Sequence, residues 1–450
     1  MSIDSEVKCR QADGTRTWLH RIVLISMRVL IVNTSERTGG AAVAASRLMA
    51  ALCNHGVQAK MLVRDRQTDD IRVAALGSSW WQRRHFLWER LCIFLRLHGS
   101  RKHLFDIDIA NSGFDITQTQ EFREADVVHL HWINQGMLSL SGIGKILRSG
   151  KPVVWTMHDI WPATAICHLT LGCGAFRTRC QNCRLLPGSG STSDLSATVW
   201  RRKERMLKQG TPVFVTCSRW LEGEAKGSGL LRGHRVLSIP NPIDTRVFCP
   251  GSQAEARQQM KLPQDKLLVL FVCQRITNAY KGMDYLAEAC QKLAAAHPEL
   301  KEKMGLVLLG GHADEVSSGL PFESFPLDYI SDESQMVSAY RSADIFVLPS
   351  LCENLPNTIM EAMACGVPCL GFKVGGIPEE IDHRKNGYVA AYRDSDDLAR
   401  GMYWLLCEAN RTELSKAAVR KVTQNYSQNS VALRYSELYQ ELLAQKHFRL

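Results

Sequence analysis

Two glutamates, eight positions apart, stand in an apolar segment of the second half of the chain. The segment "PSLCENLPNTIMEAMACGVPCLGF" predicts a strand, a loop that carries Glu353, and a helix that begins near Asn357 and carries Glu361. An ionised carboxylate accepts hydrogen bonds from two hydroxyl groups, such as a vicinal diol of a ribose or a pyranose. Backbone N–H groups at the start of a helix attract an anion such as phosphate. The segment therefore predicts a site that holds a phosphate and a sugar together.

Two cations precede this segment, in "CQRITNAYKG". Arg275 ends a predicted strand, and Lys281 opens the next predicted helix. In an open parallel sheet, ligands bind beyond the carboxyl ends of the strands, so both cations can reach the crevice that the glutamates face. A guanidinium and an ammonium together can neutralise a diphosphate leaving group.

The stretch "CHLTLGCGAFRTRCQNC" places four cysteines within seventeen residues, with the spacing C-x5-C-x6-C-x2-C. A closing C-x2-C pair is common in zinc sites, and a zinc ion would fix a long loop beside a cleft. We predict a structural zinc ion, ahead of free or redox-paired thiols, with His168 as a reserve ligand. The predicted ligands are Cys167, Cys173, Cys180 and Cys183.

Composition limits the compartment and the partners. The chain contains fifteen cysteines, an odd number, and most stand singly in apolar segments. Buried single thiols are typical of a reducing compartment, so we expect a cytoplasmic protein. The net charge of +10 favours acidic partners such as nucleotide phosphates or anionic lipid. No nucleic-acid-binding motif accompanies this charge, so nucleic acid is not expected as a partner.

A chain of 450 residues is long enough for two domains that position these groups. From Met27 onward, apolar strand segments alternate with helical segments, as in a mostly parallel sheet with helices on both faces. The strand segments are "RVLIVN", "VQAKMLV", "ADVVHLHWI", "KPVVWTMHD" and "TPVFVTCS", and then "KLLVLFVCQ", "GLVLLGG", "ADIFVLPS" and "VPCLGF". We predict an α/β protein with two doubly wound, Rossmann-like domains that face each other across a cleft.

The same pattern sets the predicted boundaries. We divide the chain into a disordered extension, two domains, and a C-terminal helix that crosses back to the first domain: 1–26, 27–245, 246–426 and 427–450. Translation can start at Met1 or at Met27, and the sequence leaves both open. The polar stretch 250–265 has the character of a linker.

Residues 80–103 combine aromatic and basic side chains at helical spacing. The apolar members are Trp81, Trp88, Leu91 and Leu95, and the basic members are Arg83, Arg84, Arg90 and Arg96. This composition is typical of a helix that lies on an anionic membrane surface, although a core helix with a basic solvent side would share it. We favour docking to the inner face of the cytoplasmic membrane as a peripheral protein.

Other polar residues are interpreted as structural. His129 and His131 in "HLHW" are expected to face opposite sides of a strand and to pack in the core. Two D-x-D pairs have the spacing of a metal-binding motif, but neither follows a suitable strand: Asp106/Asp108 and Asp394/Asp396.

Taken in order, the motifs resemble a known family. The segment from Glu353 to Glu361, the Arg275 and Lys281 pair, and "IPNPID" are similar to the retaining glycosyltransferases of family 4, which have the GT-B fold. The likeness extends over nearly the whole chain from Met27. The segment "VVWTMHDIWPATAICH" with the cysteine cluster is similar to a bacterial subgroup that builds surface polysaccharides such as exopolysaccharide or colanic acid.

The resemblance implies a role for each matching residue. Glu361 would bind the nucleotide ribose, Glu353 the hydroxyl groups of the donor sugar, and Arg275 and Lys281 the diphosphate. His158 matches the family's active-site histidine beside the donor sugar. The further donor-binding residues would be Gly39, Gly40, Leu355, Pro356, Asn357 and Thr358.

The implied reaction retains the configuration of the anomeric carbon without a protein nucleophile and without a metal ion. Preorganised positive charge would stabilise the leaving diphosphate, and closure of the cleft would exclude water. The donor would be a UDP- or GDP-sugar. The acceptor, bound on the side of the N-terminal domain, would be a glycan or a lipid-linked molecule in bacterial polysaccharide biosynthesis. The sequence departs from the family at Asn354, where a glycine is usual.

Two other enzyme classes stay open as alternatives. A nucleotide-sugar epimerase with the GT-B fold would share the architecture, but the two glutamates together with Arg275 and Lys281 favour a transferase. A nicotinamide-dependent oxidoreductase is less favoured, because Gly142 and Gly144 lack the third glycine of a G-x-G-x-x-G turn.

Overall fold

The structure, a computed structural model, describes residues 27–317 and 319–447, and the expected extension over 1–26 lies outside them. The first half of the described chain contributes seven strands: β1 (Arg28–Ser35), β2 (Gln58–Asp65), β3 (Val73–Ala75), β4 (Val127–Leu130), β5 (Val153–Met157), β6 (Val213–Thr216) and β7 (Val236–Ser238). They form one parallel sheet in the order β3-β2-β1-β4-β5-β6-β7. Central β1 is buried along its whole length except at Arg28, as its continuous apolar run predicts.

Helices cover both faces of this sheet. They are α1 (Gly40–Asn54), α2 (Ser79–Arg96), α3 (Gln120–Glu124), α4 (Leu140–Arg148), α5 (Leu195–Leu207) and α6 (Arg219–Lys226). Several begin at a side chain that accepts a hydrogen bond from a first-turn N–H group, among them Ser139, Asp194 and Ser218. These caps explain why the helices start where the apolar periodicity starts.

The second half of the described chain contributes six strands: β8 (Leu267–Arg275), β9 (Met304–Gly311), β10 (Glu323–Leu327), β11 (Ile345–Leu348), β12 (Cys369–Phe372) and β13 (Gly387–Ala390). They form a second parallel sheet in the order β10-β9-β8-β11-β12-β13. The predicted architecture of two Rossmann-like sheets, each with its own helices, is therefore confirmed.

The helices of this half are α7 (Gln253–Met260), α8 (Met283–Ala296), α9 (Asp314–Ser317), α10 (Glu333–Ser342), α11 (Asn357–Ala364), α12 (Ile377–Glu380), α13 (Ser395–Tyr403) and α14 (Arg411–Asn425). A π-helical segment, Trp404–Glu408, follows α13. The linker interpretation of 250–265 is wrong in part, because α7 lies within it. Ser252 caps this helix, and the buried Arg257 forms a 2.8 Å ion pair with Asp344. The polar composition of the stretch did not predict a helix, because an ion pair contributes to holding this helix in place.

The last helix, α15 (Gln428–His447), packs against α1 of the first sheet's layer. It contributes Val431, Tyr435 and Tyr439 to the apolar cluster behind β1. The chain first crosses from the first half to the second near Ile243, and it crosses back near Tyr426, just before α15. The two crossings are adjacent, because the Ile243 N–H donates to the Tyr426 carbonyl at 2.8 Å. The chain therefore passes between the two halves twice, at adjacent positions.

Helices of the described ranges, 27–317 and 319–447, all fall short of the length and apolar character that a membrane-spanning helix requires.

Candidate active site

Lys281 and Glu353 meet at the carboxyl ends of two neighbouring strands, β8 and β11. The Lys281 Nζ atom lies 2.5 Å from the Glu353 Oε1 atom. The loops that carry them are joined where the Leu351 N–H donates to the Tyr280 carbonyl at 2.8 Å. Arg275 ends β8 as predicted, and its exposed side chain donates to the Thr277 hydroxyl at 3.1 Å. The structure thus pairs the predicted ammonium and carboxylate and leaves the guanidinium open to solvent.

Two glycines that sequence reasoning missed make this approach sterically feasible. Gly282 has a φ of +75°, and a Cβ there would overlap the Pro349 carbonyl oxygen. Gly375 has a φ of +57°, and a Cβ there would overlap the carbonyl oxygen of Glu353. A Cβ atom at either position would push the chain away from the neighbouring carbonyl oxygen. The positive φ angles are also ones that L side chains rarely adopt. The signal in the sequence was the "VGGIPE" turn after β12.

Charge pairing dominates at Lys281. Burial alone lowers the pKa of an ammonium, but the Glu353 carboxylate outweighs burial, so the net pKa of Lys281 is raised. Lys281 therefore stays cationic over the neutral pH range and can offer its charge to an anion.

Glu361 lies in the second turn of α11 and is 7% exposed. Its Oε2 atom accepts the Tyr340 hydroxyl at 2.7 Å, and its Oε1 atom lies 2.8 Å from the Arg47 guanidinium. Arg47 belongs to α1, so this ion pair joins the two halves of the molecule. The motif in the sequence identified Glu361, but it gave no signal for Arg47 or Tyr340.

The start of α11 faces the glycine turn of the first sheet. The Asn357 side-chain amide donates to the Gly40 carbonyl at 3.1 Å and accepts from Asn241 at 3.0 Å. Pro356 occupies the N-cap position and offers no side-chain acceptor to the first-turn N–H groups, which include that of Thr358. These N–H groups are the ones for which the sequence predicts an anion, and that role stays a prediction.

Other predicted donor-binding residues flank this helix start. Leu355 is buried beneath the loop, at 6% exposure. Gly39 precedes α1 with a φ of +91° and has open space where a Cβ would stand. The turn is thus open at Gly39, whereas Gly40 lies in contact with Asn357 of α11.

Asn354 and Glu379 also bridge the cleft, and neither had been assigned a contact from the sequence. The Asn354 amide donates to the His158 carbonyl at 3.1 Å, and its oxygen accepts the Ser218 hydroxyl at 2.6 Å. Glu379 accepts the N–H groups of Arg219 at 2.9 Å and Trp220 at 2.7 Å, at the start of α6. The departure from glycine at Asn354 thus supplies a side chain that holds the two halves together.

His158 follows β5 and points its ring at other first-sheet residues. Its Nε2 atom shares a hydrogen bond of 2.9 Å with His131 Nδ1, and its Nδ1 atom lies 3.6 Å from the Cys217 sulfur. Burial lowers the pKa of His158 to about 4, although the Asp159 carboxylate partly opposes this. The imidazole is therefore neutral at pH 7.

The expectation that His129 and His131 face opposite sides of β4 is wrong. Residues two positions apart share a face of a strand, and the two ring centroids lie 4.2 Å apart. Both rings are buried, as expected. His129 shares hydrogen bonds of 2.7 Å with the Tyr439 hydroxyl and with the Thr156 hydroxyl. A row of buried imidazoles thus runs from α15 to His158.

The reserve zinc ligand, His168, has other partners. Its Nε2 atom lies 2.6 Å from Asp108 and its Nδ1 atom 2.8 Å from Asp159. Burial lowers the pKa of His168, but the two carboxylates outweigh burial and raise it to about 10. Asp108 also pairs with Arg90 of α2, which is buried, so Arg90 does not belong to the basic solvent side of that helix. This charged cluster is structural.

The cysteine cluster is not assembled into a ligand set. Burial raises the pKa of Cys167 to about 11 and of Cys180 to about 12, so both are protonated thiols. Across 27–317 and 319–447, no three side chains of histidine, cysteine, aspartate or glutamate are placed to hold a metal ion. The zinc clip through Cys167, Cys173, Cys180 and Cys183 stays a prediction.

The second D-x-D pair makes ordinary surface contacts. Asp394 caps α13 by accepting the Asp397 N–H at 2.9 Å, and Asp396 lies 2.7 Å from the Lys292 ammonium. These contacts fit the structural interpretation of the pair.

The amphipathic segment forms α2, which ends at Arg96 and not at 103. Its outer face carries a dense group of exposed large apolar side chains: Trp80, Trp81, Leu87, Trp88, Leu91 and Leu95. Its inner face is anchored by Glu89, which accepts the N–H groups of Ile109 and Ala110 at 3.0 and 2.7 Å. Gly136, in the loop after β4, packs closely on the backbone of α2. Helix α2 therefore packs on the loop that follows the carboxyl end of β4, and its apolar face points away from this contact.

Two family models match the chain, one on each half. The model described as Glycosyltransferase Family 4 matches residues 38–247, and the model described as Glycosyl transferases group 1 matches residues 266–408. Together they include α1, the glycine turn and the whole of the second sheet.

Curated relatives are similar to the chain at less than 30% sequence identity. The D-inositol 3-phosphate glycosyltransferase of Thermobifida fusca is 27% identical over 195 residues, which cover 41% of this chain and 44% of that protein. The enzyme of the same name from Saccharomonospora viridis is 24% identical over 354 residues, which cover 73% and 74%. The chain spans less than half the length of the first of these relatives.

Solved structures share the fold. Sucrose-phosphate synthase from Thermosynechococcus elongatus superposes with a TM-score of 0.63 at 17% identity, over 93% of this chain and 100% of that chain. Anabaena HepE, solved with UDP and glucose, superposes with a TM-score of 0.60 at 16% identity, over 92% and 100%. A glycosyltransferase family model therefore matches each half of the chain, and the two sheets have the GT-B fold of the solved structures.

Proposed function

We propose that the protein transfers a sugar, with retention and without a metal ion, from a UDP- or GDP-sugar to a glycan or lipid-linked acceptor. The observation that carries the proposal is the Lys281–Glu353 ion pair at the start of α11, opposite the Gly39–Gly40 turn. The Lys281 ammonium and the first-turn N–H groups of α11 suit the diphosphate of a nucleotide sugar, and the Glu353 carboxylate suits the sugar hydroxyl groups.

In this proposal, charge stabilisation supplies most of the rate gain. Lys281, Arg275 and the first-turn N–H groups of α11 bind the diphosphate and stabilise the negative charge that grows on it as the glycosidic bond breaks. Glu353 accepts hydroxyl groups of the donor sugar and holds the anomeric carbon towards the acceptor. The cations take the place of a divalent ion, so we propose a metal-independent reaction.

His158 acts as a neutral group in this scheme. Since burial lowers its pKa to about 4, the ring carries no charge at pH 7 and does not oppose the positive charge that develops on the sugar ring. We propose that His158 borders the donor sugar as a neutral imidazole, held in position by His131 and Cys217.

A lipid surface is the proposed location of the acceptor. The exposed tryptophans and leucines of α2, with Arg83 and Arg84 among them, fit the interfacial region of an anionic bilayer. Helix α2 packs on the loop after β4, so we propose that docking brings a lipid-linked acceptor to the first half of the molecule. The compartment in this proposal is the cytoplasm, at the inner face of the cytoplasmic membrane.

The acceptor has two candidates. The similarity of "VVWTMHDIWPATAICH" to enzymes of surface polysaccharides favours a glycan that grows on a lipid carrier. The curated relatives are D-inositol 3-phosphate glycosyltransferases, which favours a phosphorylated polyol. An acceptor panel that contains both classes, with one radiolabelled donor, distinguishes them by which class becomes labelled.

The donor is tested first by thermal shift with UDP- and GDP-sugars, followed by donor hydrolysis. UDP-glucose is the first probe, because the similar Anabaena HepE was solved with it. We expect at least one nucleotide sugar to raise the melting temperature and to be slowly hydrolysed. If no nucleotide sugar stabilises the protein, the proposal is wrong.

A further inference from the structure

The carboxylate of Glu361 is held from both halves of the molecule. Arg47 of α1 forms the 2.8 Å ion pair with Oε1, and Tyr340 of α10 donates to Oε2 at 2.7 Å. The Arg47 guanidinium also stacks over the Phe248 ring, at 4.9 Å from its centroid, and lies 3.8 Å from Glu333. With Arg47 only 9% exposed, its charge is fixed in place with little screening by water.

The buried Nη1 donor of Arg47 lacks a hydrogen-bond acceptor within residues 27–317 and 319–447. Nη1 lies close to Glu361 as an ion pair, yet within the described part of the chain it has no acceptor in hydrogen-bond geometry. A buried donor without an acceptor is costly, and native proteins keep one mainly where a ligand or water completes it. The free N–H therefore points to a ligand oxygen beside the Glu361 carboxylate.

Glu361 also has acceptor capacity left. An ionised carboxylate offers about four lone-pair positions, and among residues 27–317 and 319–447 Tyr340 is the single hydrogen-bond donor to it. A hydroxyl group both donates and accepts, so one hydroxyl can donate to Glu361 and accept from Arg47 Nη1 at the same time. A protonated amine has no acceptor for Arg47, and a fully ionised phosphate has no proton to donate to Glu361.

We propose that Arg47 is a ribose-binding residue: a ribose hydroxyl of the donor nucleotide bridges Glu361 and Arg47, and Tyr340 positions the carboxylate. The inference rests on the proposed function, since it takes a nucleotide sugar as the donor. The ribose site is then built from α1 of the first half and α10 and α11 of the second. Ribose recognition is complete only while the cleft is closed.

The test compares the ribose with its deoxygenated forms. Binding of UDP, GDP and their 2′,3′-dideoxy forms is measured by calorimetry on the full chain, on the wild type and on the variants Arg47→Met and Tyr340→Phe. We expect the wild type to prefer the ribose form at least about tenfold, because the dideoxy form offers no oxygen to the buried Arg47 Nη1 donor and no hydroxyl proton to Glu361. We expect Arg47→Met to reduce this preference to less than about threefold, and Arg47→Lys to restore part of it.

The controls keep folding and function separate. Tyr388→Phe removes another tyrosine that donates to a carboxylate, Asp397, at 2.8 Å, and should leave the ribose preference unchanged. Arg28→Gln removes a surface arginine that pairs with Asp126 at 2.9 Å, and it should also leave the ribose preference unchanged. An Arg47→Met protein that melts like the wild type, binds UDP or GDP, and keeps the full ribose preference overturns the inference. A wild type that binds neither nucleotide overturns the proposed function instead.

Discussion

Lys281 Nζ and Glu353 Oε1 lie 2.5 Å apart, between the strand ends of β8 and β11. The side chains are 31% and 12% exposed, so the pair is sheltered but still open to a ligand. A diphosphate that enters the cleft can share the ammonium with Glu353, while Glu353 keeps an oxygen for sugar hydroxyls. The ion pair therefore presets the distance between the leaving group and the sugar.

Replacing Lys281 by methionine should lower kcat by about 100-fold, because the charge that stabilises the leaving diphosphate is lost. Donor turnover with the nucleotide sugar found by thermal shift measures this. Lys292→Met is the matched control, since Lys292 pairs with Asp396 at 2.7 Å in the same half of the molecule, outside the cleft. A Lys281→Met enzyme that keeps more than a tenth of the wild-type kcat would contradict the assigned role.

The buried histidines make the fold sensitive to acid. Burial lowers the pKa of His129 to about 3 and of His158 to about 4, below the value of about 6.5 in an unfolded chain. Between pH 6.5 and 4 the unfolded state binds more protons than the folded state, so the free energy of unfolding falls as pH falls through that window. Each histidine contributes up to about 1.4 kcal/mol per pH unit.

Urea unfolding at pH 7 and pH 5 measures this slope. His129→Gln should reduce it by about one proton, whereas His98→Gln, at an exposed position, should not change it. His168 does not mask the effect: its pKa is raised to about 10, so its contribution is fully present below pH 6.5 and is lost only as pH rises towards 10. A slope that is equal in the wild type and in His129→Gln would show that His129 does not carry the effect.

The double substitution of Trp80 and Trp88 by alanine should weaken binding to anionic vesicles at least about tenfold, because two large apolar side chains no longer enter the interface. Trp80 and Trp88 are 61% and 55% exposed, so the fold should be little affected. Vesicle sedimentation at low and high salt gives the measurement. Ile71→Ala, at a residue that is 95% exposed but outside α2, is the control. Wild-type protein that stays in the supernatant with anionic vesicles would remove the membrane proposal.

Tag-free protein purified without chelator should carry one equivalent of zinc. Substituting both Cys180 and Cys183 by serine should remove the metal and lower the melting temperature, because a structural zinc ion contributes to folding directly. The exposed Cys407, changed to serine, should alter neither. Metal analysis that finds no stoichiometric zinc would leave free or redox-paired thiols as the explanation of the cluster.

The central strands could be predicted from the sequence, and the edge strands could not. Central strands such as β1 and β11 are buried on both faces and read as continuous apolar runs. The four strands that the sequence did not reveal, β3, β7, β10 and β13, lie at the four edges of the two sheets. Strands β3, β7 and β10 are partly exposed and lack an apolar run, and β13 is a four-residue segment that begins with a glycine.

Within the site, the sequence identified residues that belong to short motifs, one around Lys281 and one from Glu353 to Glu361. Glu353, Glu361 and Lys281 were found because their spacing and chemistry agree. Arg47 and Asn354 were not assigned contacts, because their partners lie across the cleft and far away in the chain. The opposite-face expectation for His129 and His131 failed on strand geometry alone, since residues two apart point the same way.

The double passage of the chain between its two halves has a mechanical consequence. The crossings are hydrogen-bonded to each other, from Ile243 N–H to the Tyr426 carbonyl at 2.8 Å and from Gln428 N–H to the Ile243 carbonyl at 3.1 Å. Two adjacent attachments resist twisting and sliding, which a single flexible tether would permit. We therefore expect the two halves to open by rotation about an axis near Ile243, a motion that would return Arg47, Gly40 and His158 to the same positions opposite α11 at each closure.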